Sequence, residues 1–148
     1  MATQLAFDFT APHPLVRSAV QPHEGGRRVR AHRGKVGHLA GISAELRVAQ
    51  DYERRGYPLL ESRWRGQGGE IDLIFADGDG LVFVEVKKSR TFDRALERLS
   101  RRQILRLFSA AEEFAGTCPR GSLTDMRFDV ALMDERGMVR IMENALSL

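Results

Sequence analysis

Apolar residues at Leu39, Ile42, Leu46 and Ala49 recur at helical spacing, and Gly56 ends the run. The pattern predicts a helix over Leu39–Arg55. After Gly56 the period changes. "YPLLESRW" (Tyr57–Trp64) reads as a strand and "RGQGG" as a loop. "IDLIF" and "LVFVEV" are two further strands, and the "DGDG" between them (Asp77–Gly80) is a strong hairpin signal. Thr91–Gly116 is helical, with Ser100 and Gln103 spaced as a capping box, so a short helix to Leu99 precedes a longer one from Arg101. The longer helix presents Ile104, Leu107, Phe108, Ala111 and Phe114 to a core. "RFDVALM" and "MVRIM" flank "DERG" as two last strands. Helix, three strands, helices and two strands predict an α/β (α+β) fold, a mixed sheet of about five strands flanked by helices.

The hairpin carries charge where strands prefer apolar residues. A turn centred between Gly78 and Asp79 pairs Ala76 with Leu81 and Ile74 with Phe83. Continued outward, the register sets Asp72 opposite Glu85 and Glu70 opposite Lys87. Strand alternation then puts Asp72, Glu85 and Lys87 on one face. Two facing carboxylates repel, and apolar surroundings sharpen the repulsion. A shared proton, Lys87 or an arginine, or a divalent cation would offset it. Glu45 poses a similar question on the first helix, inside the arc of Ile42 and Ala49. It needs an arginine, a metal or an active-site water as partner.

Composition narrows the classes. The chain has 148 residues, 43% hydrophobic and 29% charged, as expected of one soluble domain. No apolar run is long enough to span a bilayer. The N-terminus lacks a secretory pattern, so a cytoplasmic protein without membrane association is expected. Cys118 is the single cysteine, which excludes an internal disulfide and a cysteine zinc site. It reads as a small residue near a turn. His13, His23, His32 and His38 are scattered near the N-terminus and form no ligand pattern. A phosphate-cradling glycine loop and a nucleophile–base pair are both missing, so nothing supports a metabolic enzyme.

The net charge of +3 is uneven. "RRVRAHRGK" (Arg27–Lys35) holds five cations, and no acidic residue occurs from Gly25 to Ala44. The segment is either a phosphate-gripping arm or a solvated basic tail. Residues 1–37 lack a sustained period and read as a flexible basic extension, ahead of a domain over residues 38–148. Within the extension, "QLAFDF" (Gln4–Phe9) resembles the short peptides that bind the bacterial replication sliding clamp. A locally sticky tail is the plainer reading.

An Asp on one strand, Glu-x-Lys on the next and a Glu on the preceding helix together resemble the PD-(D/E)XK nuclease superfamily. "GEIDLI", "VFVEVK", "RFDVA" and the ending "ENAL" resemble the YraN-type family of small bacterial proteins. These are uncharacterised, endonuclease-like and distantly related to Holliday junction resolvases. The resemblance spans roughly Gly37 to the C-terminus. It implies a restriction-endonuclease-like core and metal-dependent hydrolysis of DNA phosphodiesters, with branched or recombination intermediates as candidate substrates. It assigns Asp72 and Glu85 as ligands of Mg2+ (or Mn2+), with the Val86 carbonyl beside them. Lys87 would orient the attacking water, and Glu45 would reach the metal through water or a second ion. A homodimer would suit symmetric cutting.

Two departures stand out. Arg63 takes a place where the family often has Asn, though Arg65 follows. Gln103 takes the place of a usual lysine, whose charge Arg101, Arg102 or Arg106 would supply. Arg65, Lys88, Arg90, Arg101 and Arg102 are candidate contacts to the nucleic-acid backbone, with plain solubilising charge as the alternative for Lys88 and Arg90. Asp129, inside a strand, reads as half of a buried salt bridge to an arginine. The competing functional class is a nucleic-acid-binding or adaptor protein that keeps the fold without cutting.

Overall fold

Gly78 adopts a left-handed φ of 56°, and the two-residue turn it opens joins β2 (Glu70–Asp77) to β3 (Gly80–Lys88). Asp77 pairs with Gly80, Ala76 with Leu81 and Ile74 with Phe83, which is the register expected from the turn chemistry. The computed structural model describes residues 33–147, with side chains from Ser43 onward. The Gln4–Phe9 peptide and most of the basic extension lie outside the described residues.

The sheet has the order β1-β2-β3-β4-β5, with β1 at Leu59–Arg65, β4 at Met126–Met133 and β5 at Val139–Met142. Only the β3–β4 pairing is parallel. A parallel pair needs a crossover, which here consists of α2 (Phe92–Glu97), α3 (Arg101–Ala115) and a short 3-10 turn. The anticipated α+β architecture and its five strands are therefore present.

Strand alternation builds a layer on each face. Val82 and Val84 join Leu73, Phe75 and Ala131 against Val48, Ala49 and Tyr52 of α1 (Arg33–Arg54). Leu81 and Phe83 point the other way, with Ile74, Phe128 and Val130, against Ala110, Ala111 and Phe114 of α3. Tyr52 stacks on Phe75 with ring centroids 4.5 Å apart, while Trp64 meets Phe114 edge-on at 5.3 Å. The capping box forms as read: Ser100 Oγ accepts from Gln103 N, and Gln103 Oε1 accepts from Ser100 N. Cys118 is buried beside its turn. The helix α1 begins at Arg33 rather than Leu39. Apolar spacing marks helix ends less sharply than helix middles, because the backbone ladder can run past the last periodic residue.

Asp129 is the buried half of an ion pair, as its place in a strand suggested. Arg127 grips it with Nε to Oδ1 and Nη2 to Oδ2, both at 2.9 Å. Tyr52 OH donates to Oδ2 at 2.7 Å, and Asn144 N donates to Oδ1 at 2.9 Å. Burial and these bonds to Asp129 hold the Tyr52 hydroxyl protonated, its pKa far above the usual value. The network ties α1, β4 and the C-terminal turn together. It accounts for the ending "ENAL": Asn144 takes a left-handed φ of 51° and Leu146 enters the core.

Candidate active site

The β2–β3 ladder stops at Leu73–Val84, one pair short of Asp72 and Glu85. Asp72 Oδ2 takes the Val86 N–H at 2.8 Å, so a side chain occupies a donor that a longer ladder would have used. Facing carboxylates at the next position also disfavour further pairing. The expected Glu70–Lys87 pairing is not made either. Glu70 instead accepts from Arg65 Nε at 2.7 Å. The strands thus part at the edge where the charged residues lie.

The loop before β2 fixes that edge. Glu113 on α3 accepts from Gln67 N at 2.8 Å and from Gly68 N at 3.4 Å. A Cβ on Gly68 would sit 2.9 Å from Ala110 N, so the glycine lets "RGQGG" press against the helix. β2 then starts from an anchored point only a few residues ahead of Asp72.

Asp72, Glu85 and Lys87 come together as the sequence predicted. Lys87 Nζ lies 2.9 Å from Glu85 Oε1, with both side chains mostly buried. Burial, then the charge of Glu85, pushes the Asp72 carboxyl up to about 7. Glu45 adds to the rise, while the Val86 N–H and Lys87 oppose it. A cleft of about 250 Å³ opens over the pair, lined by Gly69, Leu99, Gln103 and Arg106.

Glu45 has an arginine partner. Arg63 Nε donates to Glu45 Oε2 at 2.9 Å and Nη2 donates to Oε1 at 3.4 Å. Burial and Glu45 act on Arg63 in opposite directions, and the Glu45 hydrogen bond prevails to raise its pKa. The β1–β2 register sets Arg63 across from Asp72, between the pairs Ser62–Leu73 and Trp64–Ile71. Arg63 holds a left-handed φ of 50°, a conformation that Asn tolerates better than other non-glycine residues.

The remaining cations divide into groups. Gln103 and Arg106 line the cleft, whereas Arg101 and Arg102 are exposed on the first turn of α3 and are not among its lining residues. Arg106 is therefore the arginine placed to supply the charge that Gln103 lacks. Arg65 is largely exposed on Glu70. Lys88 and Arg90 line a second cavity, together with Arg94 and Arg98. Sequence reasoning passed over Arg94 and Arg98, because cations on a short helix look like ordinary solvation until its packing is known.

The donors suit a hard cation. Asp72 Oδ1 and Glu85 Oε2 accept no hydrogen bond from the described residues. Among the described residues, no three His, Cys, Asp or Glu side chains are grouped to hold a metal ion by themselves. Magnesium asks for less, since it binds through one or two carboxylates and keeps several waters.

Residues 44–133, which contain all four candidate residues, match the model of the uncharacterised protein family UPF0102. The chain belongs to the UPF0102 family. A UPF0102 protein of Ruegeria pomeroyi is 59% identical over 115 residues, covering 78% of this chain and 94% of the relative. One from Roseobacter denitrificans is 53% identical, covering 80% and 92%. One from Cereibacter sphaeroides is 52% identical, covering 77% and 97%. UPF0102 proteins are endonuclease-like members of the PD-(D/E)XK superfamily, and the mixed sheet with Asp72 on β2 and Glu85-x-Lys87 on β3 fits that membership. Among the described residues no helix is long and apolar enough to cross a membrane.

Proposed function

We propose that this UPF0102 protein is a metal-dependent endonuclease that hydrolyses DNA phosphodiesters, with branched or recombination intermediates as candidate substrates in the cytoplasm. The observation that carries this reading is the Asp72–Glu85 pair. Two carboxylates share one buried edge, and burial, with the charge of Glu85 second, lifts Asp72 to about 7. An arrangement that costs stability and points its spare oxygens into a cleft is what a cation site requires.

Asp72, Glu85 and the Val86 carbonyl would hold Mg2+ or Mn2+, which when bound supplies Lewis acidity to the phosphate. Lys87 would leave Glu85 and hold the attacking water by Nζ. The water oxygen bonds to phosphorus as one P–O ester bond breaks; the attacking water gives up one proton to solvent, and the departing alkoxide takes one from a solvent water. Lys87 and Arg106 offset the charge that builds on the phosphoryl oxygens. Glu45, restrained by Arg63, orients water at the rim.

The ion pairs Lys87–Glu85 and Arg63–Glu45 favour a second reading, a nucleic-acid-binding protein that does not cut. Purified protein on linear, single-stranded and four-way-junction DNA separates the two. Magnesium- or manganese-dependent cutting that chelator and Asp72→Ala abolish supports the nuclease. Binding without cutting on every substrate supports the alternative. Sedimentation with and without junction DNA reads the homodimer, and deletion of residues 4–9 reads sliding-clamp binding.

A further inference from the structure

We infer that the cavity between the end of β3, α2 and the β4–β5 turn is a phosphate subsite for a nucleic-acid strand. The cavity measures about 410 Å³, larger than the cleft over Asp72. Lys88, Arg90, Arg94 and Arg98 line it, together with Asp134 and Glu135.

The acids are already engaged. Glu135 pairs with Arg90 at 2.9 Å. Asp134 Oδ1 accepts the backbone N–H groups of Arg136 and Met138 at 2.8 and 3.0 Å, which shapes the turn. Arg98 Nη1 donates to the Lys88 carbonyl at 3.0 Å, and Arg140 Nη2 donates to the Arg90 carbonyl at 2.6 Å. These two bonds fix the backbone of the β3–α2 link. Among the described residues, Lys88, Arg94 and Arg98 have no carboxylate partner. Four cations against two carboxylates leave a net positive charge around one concavity, which fits a phosphate, and Arg offers planar donors suited to its oxygens.

Position selects a strand over a small anion. β3 runs from Glu85 in the cleft through Lys87 to Lys88 at the cavity. At about 3.3 Å per residue the two lie roughly 10 Å apart, within reach of neighbouring phosphates on one strand. β4, parallel to β3, ends at the same edge with Met133 beside Lys88. A strand lying along this edge meets the carboxylate pair at one point and the cation cavity at the next. The cavity would set which bond reaches Asp72 and Glu85, so the inference rests on the nuclease reading.

The test is fluorescence anisotropy with a labelled oligonucleotide in chelator, where nothing is cut. Wild type is compared with Arg94→Gln/Arg98→Gln, with Arg94→Lys/Arg98→Lys, and with Arg136→Gln on the turn as control. The Gln pair is expected to lose about 10- to 100-fold in affinity. Its slope of log K against log salt should flatten by roughly 1.5, as two phosphate contacts require. The Lys pair should keep most of the slope, and the control all of it. Unchanged affinity and slope in the Gln pair overturn the inference, as does a protein that binds inorganic phosphate there but no oligonucleotide. Cleavage with magnesium is scored separately. An effect on binding without any cutting sinks the nuclease and leaves the subsite. Cutting with full activity and unshifted cut positions in the Gln pair does the reverse.

Discussion

Asp72→Asn should make the metal-free protein more stable at pH 8 while removing its proposed activity. The folded protein raises the Asp72 pKa from 3.8 to about 7, so folding favours the protonated carboxyl. This contribution is fully present below the unfolded pKa. It fades as pH climbs and is gone above about 7, where an ionised Asp72 faces Glu85 at a cost. The shift is about three pH units at ~1.4 kcal/mol each, a ceiling near ~4 kcal/mol. An Asn at 72 still accepts the Val86 N–H and carries no charge, so about 2 kcal/mol of that ceiling should appear as gain. For a domain of this size the gain corresponds to a Tm rise of about 8 °C. Thermal denaturation by circular dichroism in chelator at pH 5 and pH 8 is the assay. The gain should be clearly smaller at pH 5, where the folded carboxyl is still protonated and only the ionisation of the unfolded chain above 3.8 counts against wild type. Equal Tm values at pH 8, or the same shift at both pH values, would refute the claim that burial and the Glu85 charge hold Asp72 protonated.

Other substitutions probe the surrounding structure. Arg63→Val should lose at least 1–2 kcal/mol more than Arg63→Asn in urea denaturation, because a β-branched residue resists the left-handed φ that Asn accepts. Equal losses would mean that the Glu45 pair alone sets the cost. Asp129→Ala should cost about 3–5 kcal/mol by stranding Arg127, and Tyr52→Phe about 1–3 kcal/mol by removing one donor from a buried carboxylate. Both should leave metal affinity of the folded fraction unchanged. Ser100→Ala should cost about 1 kcal/mol through the lost capping box, read as a lower urea midpoint at an unchanged slope.

Much of this architecture was legible in the sequence, for local reasons. The "DGDG" turn set a register that the alternating strands had to follow, and Ser100 with Gln103 marked the start of α3. The Asp72, Glu85 and Lys87 cluster followed from counting outward from that turn. As a ladder the count failed at the Asp72–Glu85 pair itself, where the Asp72 side chain takes the Val86 N–H. Long-range partners were hidden. Nothing local indicates that Arg63 turns left-handed and reaches Glu45, or that Tyr52 meets Asp129 across 77 positions. The cations divide between cleft and cavity only once α2 and α3 have packed. Composition counts them without saying which way they face.

The central claim is that the Asp72–Glu85 edge is a divalent-cation site. Titration of Mn2+ into the purified protein, followed by electron paramagnetic resonance of the free ion, tests it without any substrate. The account predicts one saturable site in wild type, lost in Asp72→Asn and in Glu85→Gln and retained in Asp129→Asn. Equal Mn2+ uptake by wild type and by both cleft variants would contradict it.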